Sequence, residues 1–281
     1  MRTWNTVAII GVGLIGGSIG LALRTRNLAN RVVGIGRRQE SLATALGVGA
    51  ITEATTEIAP GVADADLIVV ATPVGQIVEH VRQAAAACPA RALLTDAGST
   101  KGEIVAALSQ ALAPSARFIG SHPIAGGEKQ GPAEARPDLF VERLVVLTPT
   151  AATPPEVEAA VTEFWESLGA RTRRLSPEEH DRQLACSSHV PHLVAAMLAQ
   201  ATDRAALPFT GTGFRDTTRV AAGDPELWTQ ILLANRGPVL AALAPFEAAL
   251  GAVRDALEHS DARALRQALQ EAKNKRDAVG S

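Results

Sequence analysis

Short runs of β-branched and other apolar residues alternate with Ala- and Leu-rich stretches of helical periodicity through the first half of the chain. The apolar runs predict buried strands at 6–11, 31–36, 66–73, 92–98, 117–123 and 143–149, with a last strand at 171–175. Helical segments between them include 17–26, 39–47, 75–87 and 101–113. This alternation predicts a mostly parallel sheet with helices on both faces.

The pattern changes at Ser176, after which strand signals are almost absent. The stretch SPEEHD is typical of a helix start, because Ser176 suits the N-cap and Pro177 the first helical position. Later helices are predicted over 225–258 and 260–277. We therefore predict an α/β fold with a Rossmann-type, doubly wound sheet in a nucleotide-type domain of residues 1–175. An all-helical C-terminal domain of residues 176–281 follows it.

The composition excludes several classes of protein. With 281 residues, 47% of them hydrophobic and 20% charged, the chain can bury a full core. A net charge of −2 does not favour nucleic acid as a partner. The N-terminus enters a strand directly and no apolar run reaches the ~20 residues of a membrane span, so we expect neither a signal peptide nor a membrane segment.

The reactive residue types limit the chemistry further. The chain has no tyrosine, which excludes a dehydrogenase mechanism with a catalytic Tyr as acid or base. Six scattered histidines and two cysteines do not favour zinc chemistry, and we assign no metal ligands. Cys88 and Cys186 form no CxxC pair, so we expect reduced thiols and a cytoplasmic location.

A G-x-G-x-x-G motif, formed by Gly11, Gly13 and Gly16, follows the first strand and opens a helix. This context is typical of dinucleotide binding: the glycines allow a tight turn, close approach of a pyrophosphate, and packing of helix on strand. A glycine-rich turn without a ligand is the alternative. We assign to the same cofactor site two further pairs of residues, Leu14 and Ile15 within the motif, and Thr72 and Pro73 after the strand at 66–73.

The end of the second strand bears on the choice of dinucleotide. NAD sites usually carry an acid there, whereas this chain has Gly36 followed by Arg37 and Arg38. A guanidinium can bind the 2′-phosphate of NADP, which a carboxylate would repel. We therefore predict NADP, with use of NAD as the alternative if both arginines are only solvated loop charges.

Two loops at the carboxyl edge of the predicted sheet carry candidate chemistry. Ser99 lies in TDAGSTKGE, and His122 and Glu128 lie in the glycine-rich stretch GSHPIAGGEKQG, which we expect to form an exposed loop. Ligands bind at this edge in parallel sheets, so the two loops should meet over the nicotinamide. Each residue also has a purely structural alternative. Ser99 could be an N-cap without a catalytic role, and His122 could be a loop residue that makes one backbone hydrogen bond.

Two motifs in the helical half are candidates for the substrate side. SSHVPH places His189 and His192 within one helical turn, and Pro191 should kink the helix because it has no N–H to donate. Arg215 and Arg219, four residues apart after a glycine-rich stretch, suit an anion-binding element. A solvated helix face is the alternative for the arginine pair.

The chain resembles the prephenate/arogenate dehydrogenase family of tyrosine biosynthesis in five stretches of matching order and spacing: GVGLIGGS, DAGSTKG, GSHPIAGGEKQG, SSHVPH and GFRDTTRVAAGDPELW. The resemblance implies oxidation of the ring carbinol by hydride transfer to a nicotinamide, with loss of the ring carboxylate as carbon dioxide. It also implies a homodimer formed through the apolar helices after residue 225, in line with their excess of apolar residues.

The same resemblance implies roles for individual residues. His122 would accept the hydroxyl proton, and Ser99 would orient His122 and that hydroxyl. Arg219 would bind the ring carboxylate, with Glu128 as a nearby, competing partner that gates entry. Two further residues would contact the substrate. His192 would shape its pocket, and Arg215 would reach its side chain, either within the same subunit or from the other one.

Two alternatives stay open at the level of sequence. A β-hydroxyacid dehydrogenase or imine reductase would share the two-domain layout, but these enzymes use a Lys or Asp on the inter-domain helix, where this chain has Ser188, His189 and His192. A non-catalytic NADP-sensing module would predict a decayed second site, whereas His122 and the other motif residues are all present.

Overall fold

The structure is a computed structural model that describes residues 2–113, 116–127 and 129–279. Eight strands form one sheet: β1 Trp4–Ile10, β2 Ala29–Ile35, β3 Glu53–Thr55, β4 Leu67–Val70, β5 Leu93–Asp96, β6 Phe118–Pro123, β7 Leu144–Thr148 and β8 Arg171–Arg174. Their order is β3-β2-β1-β4-β5-β6-β7-β8, and among these strands only β6 and β7 pair antiparallel. The predicted doubly wound, mostly parallel sheet is confirmed.

Six helices alternate with these strands: α1 Leu14–Thr25, α2 Gln39–Gly47, α3 Ile58–Val62, α4 Val74–Ala87, α5 Gly102–Ala111 and α6 Pro155–Ser167. Successive residues of a strand face opposite sides, so β1 contributes Val7 and Ile9 to one apolar core and Ala8 and Ile10 to the other. Helices cover both faces, which explains why the central strands β4 and β5 are buried along their whole length rather than at alternate positions.

Helices follow from residue 177 onward: α7 Pro177–Leu184, α8 Val190–Ala201, α9 Thr212–Thr218, α10 Pro225–Ala234, α11 Arg236–Glu258 and α12 Ala262–Ala278. The Ser176 side chain accepts a hydrogen bond from the Glu179 N–H at 3.1 Å, which confirms the predicted N-cap. The irregularity expected near Pro191 takes the form of a π-helical turn over Ala185–His189, just before α8. The exact division of the chain near residue 175 stays a prediction.

The helix predicted over 225–258 is wrong as a single element, because it breaks at Asn235 between α10 and α11. Asn235 is buried, and its Nδ2 donates to the backbone oxygen of Asp181 at 2.8 Å and to Nδ1 of His189 at 2.9 Å. These contacts stabilise a non-helical backbone at Asn235 (φ −117°, ψ 27°), which sequence periodicity does not reveal. Across the described residues, no helix combines the length and apolar character that a membrane crossing requires.

Candidate active site

The glycine motif forms the turn from β1 into α1. Gly11 has a φ of +97°, which favours glycine, and a Cβ there would lie 2.7 Å from the carbonyl oxygen of Ala71. A Cβ on Gly16 would lie 2.1 Å from the carbonyl oxygen of Gly11, so only glycine lets α1 pack this closely. A Cβ on Gly13 would meet no described atom within 4 Å, which leaves open space at the N-terminus of α1.

A cavity of about 1700 Å³ runs from this turn to the helical half of the chain. Most residues that we assigned to the cofactor from sequence line it: Gly11, Gly13, Leu14, Ile15, Arg37, Arg38, Thr72 and Pro73. Gly16 is not among the lining residues, because it lies at the packing contact beneath the turn. The volume exceeds the ~300–1,000 Å³ of a typical small-molecule pocket, which is room for a dinucleotide together with a second ligand.

The end of the cavity next to β2 carries charges of both signs. Arg37 and Arg38 are exposed there, and Gly36 occupies the position where NAD sites usually have an acid. Glu57, which the sequence analysis missed, also lines this end. His80 of α4 lines the same region and contacts Oγ1 of Thr72 through Nδ1 at 3.0 Å.

Ser99 lines the cavity between β5 and α5. The N-cap position of α5 is Lys101, so Ser99 is not the cap of this helix. Instead the first N–H groups of the helix are bound from outside: the Asp181 carboxylate accepts from Lys101 N at 2.7 Å and from Gly102 N at 2.8 Å. Ser99 therefore belongs to the cavity wall rather than to helix capping.

His122 lies within β6, opposite Val146 of β7, and is partly buried. The expectation that it sits on an exposed loop is wrong, because strand pairing continues to Pro123 and the glycine-rich loop begins after it. The alternative of a backbone-bonded loop histidine does not apply either, since Nδ1 of His122 contacts Nε2 of His180 at 2.8 Å. His122 is not among the residues that line the cavity, although residues 125–127 are.

The surroundings of His122 disfavour its charged form. Burial lowers the pKa of His122 well below its usual value, and the basic neighbours His180, Lys101 and His189 lower it further. A neutral imidazole is the form that can accept a proton at physiological pH.

A buried polar network beneath these residues was not predicted from sequence. Lys101 and Asp96 are both fully buried and form an ion pair. The Asp96 carboxylate also accepts from Gly98 N at 2.9 Å and from Ser121 N at 3.1 Å. One carboxylate thus joins the loop that carries Ser99 to the strand that carries His122.

On the helical side, His192 lines the cavity and stacks on Trp228, with ring centroids 3.5 Å apart and planes 9° from parallel. Nδ1 of His192 is buried and has no hydrogen-bond partner among the described residues. His189 is buried away from the cavity and bonded to Asn235, and burial lowers its pKa to about 4. The SSHVPH motif therefore provides one cavity residue and one core histidine.

The two arginines of the predicted anion-binding element differ in their relation to the cavity. Arg219 begins the 3₁₀ turn Arg219–Ala222 and lines the cavity, whereas Arg215 lies exposed on α9 and is not among the lining residues. Arg219 follows directly on α9, which ends at Thr218, and it has helical backbone dihedral angles (φ −50°, ψ −45°). Glu128, the expected partner of Arg219, lies outside the described residues.

Comparison with known proteins covers nearly the whole chain. Residues 19–174 match the family model described as prephenate dehydrogenase, nucleotide-binding domain, and residues 176–271 match the prephenate dehydrogenase, dimerization domain. The chain is 33% identical over 282 residues to a prephenate dehydrogenase of Bacillus subtilis, covering 98% of this chain and 76% of that protein. It is also 33% identical over 289 residues to a cyclohexadienyl dehydrogenase of Zymomonas mobilis, covering 99% and 97%.

A solved structure is similar along its full length. The prephenate dehydrogenase of A. aeolicus in complex with hydroxyphenyl propionate and NAD+ superimposes with a TM-score of 0.91 at 33% sequence identity. The alignment covers 98% of each chain, so both the sheet and the helical half are matched.

Proposed function

The chain belongs to the prephenate dehydrogenase family, and on that premise we propose that it oxidises prephenate or arogenate in the cavity described above. The products are 4-hydroxyphenylpyruvate from prephenate or tyrosine from arogenate, with carbon dioxide and a reduced dinucleotide. The observation that carries this proposal is one continuous cavity lined by the glycine turn, Ser99, His192 and Arg219, with neutral His122 beside it.

Each group of the chain has a separate task in this reaction. The dinucleotide, when bound, supplies the hydride acceptor. His122 accepts the proton of the ring hydroxyl, and Ser99 orients that hydroxyl. Arg219 holds the ring carboxylate by charge-assisted hydrogen bonds until carbon dioxide leaves. His192, stacked on Trp228, provides an aromatic surface on which the substrate ring packs.

The substrate is tested by steady-state kinetics with the wild-type protein. We expect kcat/KM to be measurable for prephenate, arogenate or both when each is paired with NAD and with NADP. The better pair identifies the substrate and the dinucleotide. Absence of turnover with all four pairs, in protein that is folded by circular dichroism, would favour a hydroxyacid dehydrogenase, an imine reductase or a non-catalytic sensor.

NADP is the dinucleotide that we propose. Support comes from Arg37 and Arg38, which line the cavity where Gly36 replaces the acid of NAD sites. The Glu57 carboxylate at the same end acts in the opposite sense, because it would repel a 2′-phosphate. With two guanidinium groups and one carboxylate, this end of the cavity has a net positive charge, which favours the 2′-phosphate of NADP.

The Arg37→Ala/Arg38→Ala variant tests this preference. We expect kcat/KM for NADP to fall about 10- to 100-fold, the value of lost hydrogen bonds to a charged group, while that for NAD changes little. Arg82→Ala is the matched control, because Arg82 is exposed on α4 and is not among the cavity residues. Equal losses for both dinucleotides would mean that the arginines do not bind a 2′-phosphate.

A homodimer is the assembly that we propose. Eleven of the sixteen exposed large hydrophobic side chains in the described residues lie at or after Met197, including Phe209 at 88% exposure. The same helical half contributes few buried apolar residues, so it lacks a core of its own size. Burial of these surfaces against a second copy supplies the missing contacts.

The Leu250→Glu/Leu257→Glu variant tests the assembly. The two leucines lie seven residues apart on one face of α11 and are 54% and 62% exposed. We expect light scattering at micromolar concentration to give twice the chain mass for the wild type and a lower mass for the variant. Leu46→Glu, an exposed leucine on α2, should leave the mass unchanged. A monomeric wild type would contradict the dimer.

The cysteines bear on location. Cys88 and Cys186 are both free thiols, which is in line with a reducing compartment, and we propose the cytoplasm.

A further inference from the structure

Three side chains form a hydrogen-bonded series that ends at His122. Nδ1 of His122, in β6, lies 2.8 Å from Nε2 of His180, in α7. Nδ1 of His180 lies 2.7 Å from Oδ1 of Asp181. His180 is fully buried and Asp181 nearly so, and neither lines the cavity.

Asp181 is held as a carboxylate. Burial opposes its ionisation, but hydrogen bonds from His180 and from the backbone N–H groups of Lys101 and Gly102 outweigh burial and lower its pKa. Those two N–H groups open α5, where the helix dipole also favours a negative charge. An ionised carboxylate can only accept hydrogen bonds.

This restriction passes along the series. Because Asp181 accepts, Nδ1 of His180 must carry a proton, and in the neutral form of His180 this leaves Nε2 as an acceptor. Nδ1 of His122 must then donate, so the lone pair of neutral His122 lies on Nε2. Nε2 is the ring nitrogen of His122 that makes no contact with His180 in this series, since Nδ1 makes that contact.

We propose that His180 and Asp181 are positioning residues that fix His122 in the tautomer whose Nε2 can accept the hydroxyl proton. The mechanistic part rests on the proposed function, whereas the tautomer does not depend on the substrate. After proton transfer, the new imidazolium still donates through Nδ1 to His180, and the Asp181 carboxylate behind it stabilises the added charge. The proton moves from the hydroxyl to Nε2, and no other bond of the series has to break.

The other basic groups that face His122 do not replace this acceptor. Lys101, at the start of α5, is engaged in the buried ion pair with Asp96. His189, in the π turn before α8, accepts through Nδ1 from Asn235. Positive charge on Lys101, His189 or His180 itself lowers the pKa of His122. Among the three, His180 is the group within hydrogen-bond distance of Nδ1 of His122, so it is neutral His180 that can accept from the imidazolium.

The test compares His180→Leu with His180→Gln. Leucine removes the acceptor, whereas the glutamine Oε1 can accept from Nδ1 of His122 while its amide N–H faces Asp181. Glu178→Gln, an exposed position in the same turn of α7, is the control. Nitrogen-15 NMR of the ring nitrogens, recorded without substrate at neutral pH, identifies the His122 tautomer. Steady-state kinetics over a range of pH give kcat, KM and the acid limb of the profile.

We expect the wild type to carry its His122 proton on Nδ1, and His180→Leu to lose that preference. In His180→Leu, kcat should fall about 10- to 100-fold with KM nearly unchanged, as when an orienting partner is lost. The acid limb should move to lower pH, because the imidazolium loses its acceptor. His180→Gln should recover most of kcat, and the control should match the wild type.

Two results would overturn the positioning role. One is a wild-type His122 with its proton on Nε2. The other is a folded His180→Leu variant with wild-type tautomer, kcat and pH profile. If the leucine variant does not fold, the positioning role is tested by the His122 tautomer in the wild-type spectrum and by the kcat of His180→Gln. A wild type that turns over neither prephenate nor arogenate would refute the proposed function alone, since the tautomer is still measured by NMR.

Discussion

Replacement of His122 by asparagine should lower kcat about 100- to 10,000-fold, the usual cost of losing a general base. The asparagine amide can occupy the place of Nδ1 and keep the hydrogen bond to His180, so the fold around β6 is disturbed little. Nothing in the new side chain occupies the place of Nε2. The variant therefore removes the proton-accepting atom and keeps the structural contact to His180.

KM should change little in the same variant, because binding is assigned to Arg219 and His192, which line the cavity, whereas a general base acts mainly in the transition state. The measurement is steady-state turnover with the preferred substrate and dinucleotide at neutral pH. His259→Asn is the matched control, since His259 is an exposed histidine at the end of α11. Near wild-type kcat in His122→Asn would contradict the role assigned to His122.

Replacement of Lys101 by methionine should lower the free energy of unfolding far more than loss of a surface ion pair. Lys101 and Asp96 are fully buried, and removal of one partner leaves the other charge without compensation. Such losses typically lower the free energy of unfolding by ~3–5 kcal/mol. Since Asp96 also binds the backbone of Gly98 and Ser121, the loops that carry Ser99 and His122 should loosen together.

Urea unfolding at pH 7 measures this effect. The Asp96→Asn/Lys101→Met double variant should be more stable than Lys101→Met, because it removes the uncompensated charge. Arg31→Met is a matched control: its ion pair with Glu53 lies on the surface, and its loss should have a far smaller effect. Equal effects at the buried and the surface pair would contradict the structural role of the Lys101–Asp96 pair.

Features that depend on local chain geometry could be predicted from sequence. The glycine turn is one example: the φ of Gly11 and the contact at Gly16 follow from a strand that turns directly into a helix. The cap at Ser176 is another, because it involves residues only three apart. The doubly wound sheet follows in the same way from the alternation of strands and helices.

Features that depend on docking of distant segments could not be predicted. The stretch SPEEHD predicts only a helix start, yet His180 contacts a residue 58 positions away and Asp181 contacts one 80 positions away. Their roles appear only once α7 packs against β6 and α5. The break at Asn235 has the same origin, since its side chain binds groups on α7 and in the π turn.

Local periodicity was also misleading at the arginine pair. A spacing of four residues predicts that both arginines face one ligand, and here α9 changes into a 3₁₀ turn at Arg219. Arg219 turns to the cavity while Arg215 stays exposed on α9. The role of Arg215 toward the substrate side chain, including from the other subunit, stays a prediction.

The stoichiometry of carbon dioxide and reduced dinucleotide tests the proposed reaction most directly. With the preferred substrate, we expect one carbon dioxide for each reduced dinucleotide, because loss of the ring carboxylate accompanies oxidation of the ring carbinol. Reduced dinucleotide formed without carbon dioxide would contradict oxidative decarboxylation and indicate a simple alcohol dehydrogenase in the same fold.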